Sequence, residues 1–155
     1  MKWAVPPAIK VYEALGCLAD QRIEIEGDSA KISSSSKGKY YTVTYDETSN
    51  AIMVNDNGSY WKGYLGYPGI AFLMKKGKLS FIPSFSEALE GIAWKDLNVK
   101  YKNDFTQTLQ EVHNLLLLKG VDLSSFMSYI QKVLAEIEAL SLSYLGKKQL
   151  PPEGY

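Results

Sequence analysis

Glu24 and Glu26 are the pair of side chains in this chain best suited to acid–base work. They stand two apart in the run RIEIE, and strand alternation puts both on one face, roughly 6.5–7 Å apart. Two carboxyls at that separation can divide the roles of acid and base when a cleft raises the pKa of one of them. The same pattern equally describes the solvated face of an edge strand. The remaining reactive residues assemble no site. A single histidine, His113, excludes a histidine-paired metal centre, and a single cysteine, Cys17, has no partner for a zinc cluster or an internal disulfide. Cys17 shares a helical face with Lys10, Glu13 and Asp20, and the two acids disfavour a thiolate. His113 lies at the edge of an apolar stripe, where a boundary histidine belongs. No metal and no cofactor is expected.

Three further chemistries fail on spacing. Gly-Lys pairs at 38–39, 77–78 and 146–147 lack the upstream glycine of a phosphate loop. Read as a calcium loop, NDNG at 55–58 puts Met53 and Tyr64 at ligand positions; it reads better as a hairpin turn. KGKYYTVTY (37–45) has Lys39 and Thr44 where an RNA-binding sheet needs rings. Lys plus Arg equals Asp plus Glu, 17 each, so no net field recruits nucleic acid or an anionic membrane. Nucleic acid is not an expected partner. With 46% hydrophobic and 22% charged residues the composition is that of ordinary globular material. No run is long enough for a membrane span or a signal peptide, and the lone cysteine fits a reducing compartment. The expectation is a cytoplasmic protein.

The segment YWKGYLGYPGIAF (60–72) is the densest in aromatic residues. Gly63, Gly66 and Gly69 are spaced by three, unlike a dinucleotide fingerprint. Strand spacing would put Tyr60, Lys62 and Tyr64 on one face, extended by Tyr40. With Gly63, Gly66 and Tyr67 these form the candidate surface for a ligand or protein partner, since tyrosine joins apolar area to a polar tip. The competing reading is packing: glycines allow sharp turns or close approach while the rings seal the end of a sheet.

The elements that must position these residues follow from periodicity. Residues 6–19 predict a helix entered through Pro6 and Pro7, with Tyr12 and Leu15 on its apolar face. The period then becomes two, and 23–26, 29–33, 39–45 and 50–55 predict an antiparallel meander of four strands, with a fifth near 60–64. Residues 69–82 fit either a helix followed by a strand or a β-hairpin. Ser84 and Glu87 have capping-box spacing, and WKDLN adds a turn. A helix from Asp104 and a longer one from Asp122 to Leu145 form a helical hairpin around a Gly120 turn. The fold class is α+β: one domain over residues 1–146, with an extended tail over 147–155.

The longer helix outruns its neighbour and would leave Leu140, Leu142, Tyr144 and Leu145 in need of cover, which a second copy could supply. The expected function is therefore that of a non-catalytic interaction or assembly protein, self-associating as a homodimer, with the tyrosine surface as its recognition site. The alternative is a small-molecule-binding or hydrolytic enzyme that uses Glu24 and Glu26 beside the Tyr60, Lys62 and Tyr64 face.

Overall fold

The computed structural model describes residues 1–154. The architecture is α+β. A first helix, α1 (Ile9–Ala19), leads into β1 (Ile23–Glu26), β2 (Ser29–Ser33), β3 (Tyr40–Asp46) and β4 (Ala51–Val54). These pair antiparallel in sequence order, and the register holds Ile32 opposite Tyr41, Val43 opposite Val54 and Tyr45 opposite Ile52. All six are buried on one face, so a slip of one residue would turn the whole set to water. The turns between the strands take positive φ at Gly27, Lys37 and Asn50.

After the sheet come α2 (Tyr67–Lys75), α3 (Pro83–Glu87), α4 (Trp94–Lys100), α5 (Phe105–Leu118) and α6 (Leu123–Leu140). α2 lies on the buried face of the sheet, α1 packs on α2, and α3 and α6 pack on α1. Edge-to-face rings join these layers, with Tyr12 of α1 and Phe85 of α3 both 5.1 Å from Phe126 of α6. Asp104 and Asp122 cap α5 and α6 as their types predict, accepting from the Gln107 and Ser125 amides. Glu136 of α6 accepts from both the amide and the hydroxyl of Ser80, which fixes the segment after α2.

Several expectations are corrected. Residues 69–82 hold a helix with no strand after it; Pro68 suits the first turn of α2. Ser84 lies inside α3, whose cap position is Ile82. Residues 60–64 are not a strand. Gly58–Lys62 form a π-helical turn ended by Gly63 at φ +73°, and Tyr64 makes only an isolated bridge to Ala4. Asn57 is right-handed, not the first half of a hairpin turn; Gly58 is needed for room, because a methyl there would overlap the Tyr64 ring.

The largest difference lies at the end of α6. The helix stops at Leu140, where Ser141 turns left-handed at φ +50° and Asn50 Nδ2 caps the Leu140 carbonyl at 2.8 Å. The chain then adds β5 (Ser143–Tyr144) parallel to β4, through Ser143 N to Asn50 O and Leu145 N to Ile52 O, each 3.1 Å. Covering the open edge of β4 satisfies backbone groups that a continued helix would leave unpaired. Trp3 completes the join: its indole donates to Ile52 O at 2.8 Å and its ring lies tilted against Tyr144, with centroids 4.1 Å apart. Leu142 is buried, and Leu140, Tyr144 and Leu145 pack against the core. The overhang on which the self-association expectation rested does not exist, because the chain covers these residues itself.

Candidate functional site

α1 is amphipathic by sequence, yet its polar face is not in water. Glu13 is 5% exposed and Cys17 fully buried, and Lys10 and Glu13 form one wall of a cleft of about 300 Å³. The opposite wall is α4, which contributes Trp94 and Asn98. Tyr41 of β3 and Tyr67 of α2 also line it, together with Arg22 and the Asp56–Gly58 loop after β4. The close approach of α1 and α4 depends on Gly16: a Cβ there would lie 2.6 Å from Trp94 Nε1.

Arg22 is held from three sides. Its Nη1 donates to Ser33 O at 2.7 Å and, more weakly, to the Tyr67 hydroxyl at 3.4 Å. The cation lies 5.9 Å from the centre of the Tyr67 ring, and Asp20 Oδ2 stands 3.5 Å from Nε, an ion pair without hydrogen-bond geometry. The side chain is 3% exposed, and neither Nε nor Nη2 has a hydrogen-bond acceptor. Trp94 Nε1 and Asn98 Oδ1, also buried, lack partners as well. Glu13 Oε1, ion-paired with Lys10, likewise makes no hydrogen bond among the described residues. Buried polar atoms are nearly always paired, so four such residues along one cleft are its main chemical signature.

The acids of the cleft are tied down. Lys10 Nζ lies 2.8 Å from Glu13 Oε1, and Asn98 Nδ2 points to Glu13 Oε2 at 3.5 Å. Burial alone would depress the Lys10 pKa, but Glu13, helped by Tyr64 and Asp56, outweighs it and holds it up at about 12. Asp56 accepts from both the hydroxyl and the amide of Ser59, while Ser59 Oγ accepts from Gly66 N at 3.0 Å. Burial still pushes the Asp56 carboxyl above its ordinary range, against Ser59 and Lys10. Gly66 must be glycine, since a methyl would overlap the Asp56 carboxylate. Burial likewise raises the Tyr41 hydroxyl to about 12 and Tyr67 well above its usual value.

The candidate residues read from sequence are distributed over the molecule. Tyr67 lines the cleft and Gly66 supports its Asp56, while the Tyr64 ring packs over Gly58. Tyr60, Lys62 and Gly63 belong to the π-turn outside it, and Tyr40 faces outward from the sheet, 61% exposed. Glu24 and Glu26 are exposed on edge strand β1, in a shallow groove with Lys31, Thr42 and Thr44. Three strand spacings separate β1 from β4 and the turn that follows it, about 14 Å, so the structure does not bring these acids to the tyrosines. His113, half-buried, meets the Tyr12 hydroxyl at 2.7 Å, and burial lowers its pKa. Among the described residues no cluster of His, Cys, Asp and Glu could hold a metal ion, and no helix is long and apolar enough to cross a membrane.

Sequence reasoning passed over Arg22, Trp94, Asn98, Lys10, Glu13 and Asp56. One signal for them was present: Arg22 is the only arginine among 17 basic residues. A chain that uses lysine everywhere else uses arginine where a fixed planar fork is needed.

A family model spans residues 3–143, which include every residue of the cleft. The chain belongs to this family, described as "Uncharacterised conserved protein UCP014422". No curated protein and no solved structure matches it.

Proposed function

We propose that this protein is a non-catalytic recognition domain that takes a small polar ligand into the cleft between α1 and α4. The observation that carries the reading is the set of buried, unpartnered atoms on its walls: Arg22 Nη2, Trp94 Nε1 and Asn98 Oδ1. An apolar cavity leaves no polar groups to match, whereas a ligand site holds a few in reserve. Binding is favoured over catalysis because the unpartnered arginine, indole and amide exchange no protons near neutral pH. A guanidinium stays charged, and an indole and an amide stay neutral. The carboxylates that could act as acid or base are engaged by Lys10 and Ser59. A reducing cytoplasm suits the buried Cys17 thiol.

The test uses the three indole N–H signals of the protein. A dialysable small-molecule extract of cells is added to ¹⁵N-labelled protein, and the expected result is a shift of the Trp94 signal with a rise in melting temperature. The Trp3 signal, bonded to Ile52 O, stays in place. Val99→Arg, which fills the cleft from α4, abolishes both effects. An extract that moves neither the Trp94 signal nor the melt refutes the reading.

A second reading, a protein-partner surface on the aromatic segment, is favoured by Trp61, which is 67% exposed beside Tyr60 at a ring separation of 4.7 Å. Trp61→Ala is then expected to weaken capture of a protein partner while leaving the melt within about 0.5 kcal/mol of the parent, as for other surface changes.

A further inference from the structure

The chain treats the two edges of its sheet differently. It covers the β4 edge with β5, which the N-terminal segment bridges in turn at Lys2. At the other side β1 is the outermost strand, with nothing paired beyond it. Glu26 faces Ser29 across the tight turn at Gly27 and Asp28, and Arg22 O accepts from Ser33 N at 2.9 Å. Alternate residues of an antiparallel strand bond to the same neighbour. Arg22, Glu24 and Glu26 therefore bond inward to β2, and the amides and carbonyls of Ile23 and Ile25 point off the sheet. Among the described residues these groups find no backbone partner. Nor are they shielded, since Ile25 is 36% exposed and both glutamates stand in water. No residue of β1 lines the cleft between α1 and α4, so this edge is independent of the ligand site proposed above.

An open edge accepts a further strand, the backbone supplying the bonds and the alternate side chains the choice of partner. Glu24 and Glu26 project from the solvent face of the sheet beside Lys31, yet neither joins an ion pair among the described residues. Ile25 projects to the opposite face, level with Ala30. A second copy of β1 is a poor occupant. Paired antiparallel about a two-fold axis, it sets Glu24 against Glu24 or Glu24 against Glu26, and like charges directly opposite are destabilising. A strand with lysine or arginine opposite both glutamates, and an apolar residue opposite Ile25, meets each position with its complement. We infer that β1 is a docking edge for an extended segment of a partner protein in which basic and apolar residues alternate. The segment adds antiparallel, as a sixth strand on the five-stranded sheet.

The experiment adds three acetylated and amidated peptides to the ¹⁵N-labelled protein. They are Lys-Val-Lys-Val-Lys-Val, its Glu-Val counterpart, and the first peptide with its valine amides N-methylated. The valines are the residues that exchange bonds with Ile23 and Ile25, so the methyl groups remove those bonds and keep the charges. The expected result is that the Lys-Val peptide shifts the Ile23 and Ile25 amide signals and slows their hydrogen exchange by at least about tenfold. The other two peptides should bind at least about tenfold more weakly. Glu24→Lys together with Glu26→Lys, both at exposed positions, should reverse the preference between the Lys-Val and Glu-Val peptides. The comparison of peptides is made on the parent protein, so it stands even where the variant does not fold. The inference is overturned by a Lys-Val peptide that fails to bind at millimolar concentration, or that binds and leaves Ile23 and Ile25 exchanging as before. Equal binding by either control peptide overturns it too. So does exchange at Ile23 and Ile25 that slows with protein concentration alone, because a second copy would then hold the edge.

Discussion

Ser59→Ala tests the buried network behind the cleft. Ser59 is fully buried and serves two groups at once: it donates to Asp56 and accepts from the Gly66 amide at 3.0 Å. Alanine removes both bonds and leaves a space too small and too enclosed to replace them. The orphaned Gly66 N–H costs about 2 kcal/mol, and the weakened support of a buried carboxylate about 2–3 kcal/mol more. The sum, about 4–5 kcal/mol, is a large part of the 5–15 kcal/mol that holds a typical domain together. For a chain of this size it corresponds to a fall of roughly 10–15 °C in melting temperature. The pH dependence has a definite sign. Burial already raises the Asp56 pKa, and loss of the Ser59 hydroxyl raises it further in the folded state alone. The charge-borne part of the deficit is therefore present at neutral pH. It shrinks as the pH falls and Asp56 takes up its proton, leaving the share owed to Gly66. Urea unfolding of parent and variant at neutral and mildly acidic pH measures both. A loss below about 1 kcal/mol at neutral pH, or a deficit that grows on acidification, would refute the network as described.

Three more outcomes follow from single contacts. Gly16→Ala, which in an exposed helix would stabilise by up to about 1 kcal/mol, should destabilise here by about 1–3 kcal/mol, because its Cβ would lie 2.6 Å from Trp94 Nε1; a thermal melt gives the sign. Ser141→Gly should stabilise by about 0.5–1 kcal/mol in the same measurement, since the left-handed φ of +50° at the end of α6 strains any residue with a Cβ. Burial pushes the Cys17 thiol up to about 11, above an unfolded value near 8.5. The folded state therefore favours the neutral thiol, and stability that is complete below about pH 8.5 is lost as the pH rises towards 11. Cys17→Ala should lack that component of the alkaline loss, and an aromatic disulfide reagent should label the parent no faster than it unfolds.

Local chemistry was enough to specify much of this chain. The alternation through Ile32 and Val43 determined strands β2 and β3 and the face they bury, because the strand period is two and alternate residues leave water. Asp104 and Asp122 announced their helices, because an N-cap carboxylate answers free amides a few residues away. Proline at the head of α2 and glycine after it allowed a helix there, but the same residues also fitted a β-hairpin, and packing on the sheet decided for the helix. The site was another matter. Lys10, Glu13 and Cys17 read as a solvated helix face, since no local rule records that α4, some eighty residues later, will lie against it. Heptad spacing through Tyr144 argued for a longer α6, and the open edge of β4 overruled it by offering backbone partners that a helix end lacks. The glycines of the aromatic segment were visible as glycines, but whether each served φ or space depended on what came close: Asp56 at Gly66 and the Tyr64 ring at Gly58. The single arginine was in plain sight from the start. That it would be buried with two of its nitrogens unmatched was decided by α1, β2, α2 and α4 closing around it, because hydrogen-bond satisfaction is a property of the packed neighbourhood and not of the residue.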